Sequence, residues 1–193
     1  MHKTDYRLCL IISYVASLHI FCYAIYAAEN RQYVVVQGIK WRFPDKSDIA
    51  GAWEKKEEWK YILGHISVAP YHVRGDFNGD NLQDDCWIML NDDDNKWGLF
   101  VLLQKKSMDH YVFKVLEYSN IHSAQYYVIS IAKPSKNAII TACGKGYYEC
   151  SPSDPKKLTI KNDSIYFCLP ESACQIITWN DDRNVFDLIQ ISD

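Results

Sequence analysis

Several features that would announce a chemistry are missing from these 193 residues. Basic residues are not in excess: 21 Lys and Arg stand against 24 Asp and Glu, a net charge of −3. The 14 tyrosines and 6 tryptophans lack clustered Lys or Arg, so they make no stacking groove, and nucleic acid is excluded as a partner. No Cys-x-x-Cys pair occurs, and His65, His72, His110 and His122 stand singly, which leaves a zinc site without a ligand set. No Gly-x-Ser-x-Gly and no assignable Cys and His couple is present. Gly144-Lys145-Gly146 lacks the spacing and the following Ser or Thr of a phosphate cradle and reads as a turn. The chain is therefore not expected to be an enzyme.

There is one long apolar run, at the start. Met1 to Ala28 carries Lys3 and Arg7 and then a stretch from Leu8 broken only by Ser13, Ser17 and His19. Residues 1–28 read as a signal peptide with small residues Ala24, Ala27 and Ala28 near the cut, or as an uncleaved anchor, since the run is long enough to span a bilayer. Membrane contact is expected only if that segment stays. The expected localisation is periplasmic or secreted. Residues 29–193 are one domain's worth of chain, enough to bury roughly 70% of the surface the unfolded chain exposes.

The stretch that organises the remainder runs from Arg74 to Leu90, R-G-D-F-N-G-D-N-L-Q-D-D-C-W-I-M-L. Asp76, Asn78, Asp80 and Asp84 occupy relative positions 1, 3, 5 and 9 of a loop over 76–84. A chain turning at Gly79 and Asn81, both tolerant of positive φ, can aim these oxygens inward, with the Leu82 carbonyl at position 7 as a further ligand. Hard oxygen donors at this spacing suit Ca2+. The loop is not an EF-hand, because Trp87 stands where the bidentate Glu belongs and an apolar strand follows instead of a helix. The competing reading is a solvated acidic turn. Arg74-Gly75-Asp76 spells an adhesion tripeptide, but Asp76 is committed to the loop.

D-F-N-G-D-N-L-Q-D followed by a strand resembles the calcium loop of FG-GAP and VCBS-type repeats. Thr141 to Cys150 (T-A-C-G-K-G-Y-Y-E-C), Glu171 to Ala173 and the terminal I-S-D are similar to a group of exported bacterial proteins that carry one such loop, a resemblance that implies no activity. A propeller needs several blades, and one copy of the loop implies a single module.

The expected fold class is α+β: mainly an antiparallel β-sheet meander with one N-terminal amphipathic helix in a single compact domain. Tyr33 to Phe43 is β-branched and apolar and predicts one strand or extended arm. From Ser47 to Leu63, Ile49, Ala52, Trp53, Trp59, Ile62 and Leu63 recur near helical spacing with Gly64 at the stop, which predicts the helix. Short strands follow at Cys86 to Leu90, Trp97 to Gln104, Tyr111 to Tyr118, Tyr126 to Ile131, Asn137 to Thr141, Gln175 to Trp179 and Val185 to Ile191. The polar stretches Asn91 to Lys96 and Asn180 to Asn184 read as hairpin turns.

Without Cys9 and Cys22, five cysteines remain for an oxidising compartment. Cys143 and Cys150 bracket G-K-G-Y-Y-E and are the favoured bridge. Cys168 and Cys174 bracket L-P-E-S-A and could form a second, leaving Cys86 as a buried small hydrophobe. Two functions fit: an exported, non-catalytic binding module stabilised by one Ca2+, with an unknown protein or glycan as partner, or a periplasmic inhibitor or immunity protein that blocks a toxin or hydrolase.

Overall fold

The structure, a computed structural model, describes residues 25–28, 31–45, 48, 71–107, 109–151, 154–169 and 172–192. Its chain contacts divide into two compact units, Met1–Arg42 and Phe43–Asp193. Most of the expected signal segment and nearly all of the helix expected over Ser47 to Leu63 lie outside the described residues.

In the first unit β1 (Ile25–Ala28), β2 (Arg31–Val36) and β3 (Ile39–Arg42) form an antiparallel meander. The run expected as one strand over Tyr33 to Phe43 is thus two strands. Gln37 (φ 53°) and Gly38 (φ 80°) both take the left-handed region, as a two-residue hairpin turn matched to strand twist requires. Val34, Val36 and Trp41 share one face and are buried, the alternation a pleated strand imposes.

The second unit holds two antiparallel sheets. In the first, β4 (His72–Gly75) pairs with the start of β5 (Asp84–Asn91), β5 with β6 (Lys96–Gln104), and β6 with β7 (His110–Ser119). A 3₁₀ turn (Ile121–Tyr126) then leads to β8 (Val128–Ala132). Past the short pair β9 (Ile139–Ile140) and β10 (Lys157–Leu158) come β11 (Ser164–Cys168), β12 (Cys174–Asn180) and β13 (Val185–Ser192). These complete a sheet in the order β13-β12-β11-β8.

The α+β expectation is corrected: the structure is mostly β, with 52% of it in strands, and no described residue lies in a helix of seven or more residues. The helical spacing that suggested a mixed fold is confined to Ser47 to Leu63; β5 begins with alternate residues buried, and β6, lying between β5 and β7, is buried almost throughout. Ile88, Leu90, Leu99 and Val101 from the first sheet meet Ile129, Ile165, Phe167 and Ile177 from the second in one buried cluster. Each such side chain contributes about 1.5–3 kcal/mol by leaving water. Trp97 and Phe167 within the cluster and Tyr118 and Tyr127 against it form an aromatic group, and the Trp97 indole N–H donates to Ser123 Oγ at 2.8 Å.

Two hairpins use the same turn. Asn91 Oδ1 accepts the Asp94 N–H at 3.0 Å and Asn180 Oδ1 accepts the Arg183 N–H at 3.1 Å, while Asn95 and Asn184 each close the turn at φ 52°. Asparagine serves at both ends because its side chain mimics a backbone acceptor and it tolerates the left-handed region. Among the described residues no helix is long and apolar enough to cross a membrane.

Candidate metal centre

The loop over 76–84 connects β4 to β5 and is folded by its own acidic side chains. Asp76 Oδ1 accepts the N–H groups of Gly79 (2.8 Å) and Asp80 (3.0 Å), and its Oδ2 accepts that of Asn81 (3.0 Å). Asn78 Oδ1 accepts the Asp80 N–H at 3.2 Å, and Asp80 Oδ1 accepts the Leu82 N–H at 2.8 Å. Asn78 Nδ2 in turn donates to Asp80 Oδ2 at 3.0 Å. Such side-chain to backbone bonds are the turn chemistry of Asp and Asn. Gly79 (φ 77°) and Asn81 (φ 66°) take the positive φ the sequence anticipates. At Gly79 space matters too, since a Cβ there would lie 2.6 Å from the Asn162 side chain.

Asp84 behaves differently from its neighbours. It is fully buried, and its two carboxylate oxygens accept the N–H groups of Phe77 (2.9 Å) and Gln104 (2.9 Å), tying the loop to the end of β6. Its pKa is pushed up to about 6: burial is the main cause, the two N–H bonds oppose it, and the negative charges of Asp80 and Asp76 add to it. Three carboxylates therefore feel one another within a short loop.

The residues fit a calcium ligand set in part. Asp76, Asn78 and Asp80 supply oxygens from one turn, and each carboxylate oxygen can accept more than the bonds it already makes. Among the described residues, however, no three His, Cys, Asp or Glu side chains are gathered as a metal site, and Asp84 is turned toward backbone donors. The set depends on the Asn78 amide and the Leu82 carbonyl as well as on carboxylates. Bound there, Ca2+ would supply the positive charge that the turn lacks.

Two residues behind the loop were not singled out as site residues from the sequence. Asp163, from the segment between β10 and β11, accepts the Asp76 N–H (3.2 Å) and the Lys133 ammonium (2.9 Å) on one oxygen, while Asn162 packs against Gly79. Nothing local signals this contact across 87 positions of chain. Asn162 also borders an open polar cleft with Thr178, Asn180 and Asp187. On the other side of the loop His72 Nε2 lies 2.6 Å from Asp85 Oδ1 and stacks on Trp87 at 3.8 Å, and Arg74 pairs with the same oxygen at 3.1 Å. Although burial opposes it, the His72 hydrogen bond and the Arg74 charge hold the Asp85 carboxyl below its ordinary range. Arg74 and Asp76 are thus both engaged in local structure, and Gly75 between them is buried.

Disulfides join Cys143 to Cys150 and Cys168 to Cys174, and Cys86 is free and buried. Cys168 and Cys174 face each other across β11 and β12, so their bridge closes that hairpin. Two intramolecular bridges are compatible with an extracellular or periplasmic protein. Compared with known protein families, with characterised proteins and with solved structures, the chain matches none of them.

Proposed function

We propose that this protein is an exported, non-catalytic binding module whose fold is stabilised by one Ca2+ held in an FG-GAP-like loop by Asp76, Asn78, Asp80, the Leu82 carbonyl and Asp84. The observation that carries the reading is the state of Asp84, a buried carboxylate raised to about 6 beside two other carboxylates. Burial, with the charges of Asp80 and Asp76 adding to it, disfavours the ionised carboxylate, a cost that a divalent cation offsets. The ion acts as a folding ligand, stiffening the edge of the β4 to β7 sheet for contact with a protein or glycan. The two disulfides support an exported setting.

Equilibrium dialysis of the metal-stripped protein against radioactive calcium tests the assignment. One ion per chain is expected, with a dissociation constant on the order of 10⁻⁴ to 10⁻³ M, the range of extracellular calcium modules. Uptake below one ion per ten chains at millimolar calcium contradicts it. Retention on a glycan array that disappears with chelator would identify the partner class.

A further inference from the structure

The whole-chain charge balance conceals a local excess. Between positions 133 and 161 stand six lysines (Lys133, Lys136, Lys145, Lys156, Lys157 and Lys161) against only Glu149 and Asp154, in a chain of net charge −3. All six lysines are exposed, and of the six Lys133 pairs with Asp163. The same segment presents three large apolar side chains to solvent: Ile140 at 47%, Tyr147 at 53% and Tyr148 at 43% exposure.

The tip that carries the tyrosines is held firmly. The Cys143–Cys150 bridge closes it, the Ala142 N–H donates to the Gln190 carbonyl at 2.9 Å, and Thr141 Oγ1 donates to the Pro155 carbonyl at 2.7 Å. Lys145 Nζ reaches the Ile191 carbonyl at 2.7 Å, and a Cβ at Gly144 would collide with the Lys156 carbonyl. Lys157 lies directly across from Ile140 in the β9–β10 pair, so apolar and cationic side chains share one end of the unit.

We propose that this end of the molecule docks on a bilayer surface containing anionic phospholipid, with Tyr147, Tyr148 and Ile140 entering the headgroup layer and Lys156 and Lys157 meeting lipid phosphates. Tyrosine is an interfacial side chain, apolar along the ring and polar at its tip. Each lysine near an anionic surface is worth about fivefold in partition. A protein partner would have to match this tip in shape over roughly 800 Å² per side. A bilayer needs no shape complement. The docking is independent of the calcium loop.

Hydrogen exchange of the full chain tests this, on phosphatidylcholine vesicles and on vesicles containing one-third phosphatidylglycerol. The apolar N-terminal run can hold the chain on either lipid, so the readout is local protection of residues 139–150. Protection is expected on the anionic vesicles alone, with Tyr147→Ala/Tyr148→Ala abolishing it. Lys156→Glu/Lys157→Glu is expected to lower partition by more than about tenfold. These positions are exposed, so thermal melts confirm that the variants fold. Equal exchange on both lipids overturns the proposal, as does protection reproduced by soluble heparin, which points instead to an anionic glycan.

Discussion

Two loops of the second unit face the same problem and solve it with different chemistry. The 76–84 loop is closed by its own side-chain oxygens, which accept seven backbone N–H bonds, six from within the loop and one from Gln104, and because six of the seven go to carboxylates it accumulates negative charge as it does so. Asn78 contributes its amide oxygen to that count. The 143–150 loop is closed by a covalent bridge, by local backbone bonds and by one backbone bond from Ala142 to β13, with a lysine reaching a carbonyl. Polar closure leaves a loop responsive to protons and cations; covalent closure leaves one responsive to reductant. The difference teaches that the two sites should answer to separate reagents, and each prediction below tests that separation.

The largest effect should follow from Asp84→Ala. The substitution strands the Phe77 and Gln104 N–H groups in a buried site, at a cost of about 3–5 kcal/mol by chemical denaturation. A loss below about 1 kcal/mol would mean that the loop is closed by something other than this carboxylate. Next, Cys143→Ser with Cys150→Ser should cost about 2–3 kcal/mol through the freed unfolded chain, with the calcium response of the other loop intact. Loss of that response would show the two loops to be coupled.

Proton linkage gives a third effect, of opposite sign to common acid unfolding. Folding raises the Asp84 pKa from 3.8 to about 6, so the folded state binds the proton more tightly than the unfolded chain. That contribution is present in full below the unfolded value and is lost as pH rises through 6, on the order of 3 kcal/mol in all. Asp85, shifted down, works in the other direction: its contribution exists above the unfolded pKa and is lost as pH falls through the lower folded one. In metal-stripped protein the Asp84 share is the difference in stability between pH 7 and pH 5 that Asp84→Asn abolishes. A wild-type and variant pair with parallel pH profiles would remove it.

How much of this contrast is legible in the sequence depends on range. The hairpin turns at Asn91 to Lys96 and Asn180 to Asn184 show in the asparagines and aspartates that bound them, and the spacing of Asp76, Asn78 and Asp80 marks a turn closed by its own side chains. Cysteines six or seven positions apart leave few ways to pair. The turn at Gln37 and Gly38 was hidden because apolar residues continue on both sides of it. Asp84 looked like one ligand among four, since no local pattern shows that its partners are the N–H groups of Phe77 and of Gln104, twenty positions on. The lysines of 133–161 were lost in the balance of the whole chain. The helical spacing of Ser47 to Leu63 coloured the fold class, though nearly all of it lies outside the described residues, which are mostly β.

The smallest effect discriminates best. Asp80→Asn removes one charge from the polar loop while keeping an oxygen for the Leu82 N–H. It should abolish most of the calcium-dependent stabilisation and leave the calcium-free melting temperature equal or higher. A variant that responds to calcium as the wild type does would strike Asp80 from the ligand set.

The most direct measurement is the thermal melt of the metal-stripped protein across a calcium series from micromolar to several millimolar, with magnesium as control. The account predicts a saturable rise in Tm with calcium alone, equivalent to about 1.4 kcal/mol at ten times the dissociation constant. A flat response, or an equal rise with magnesium, would contradict it and leave Asp76 to Asp84 as an acidic turn.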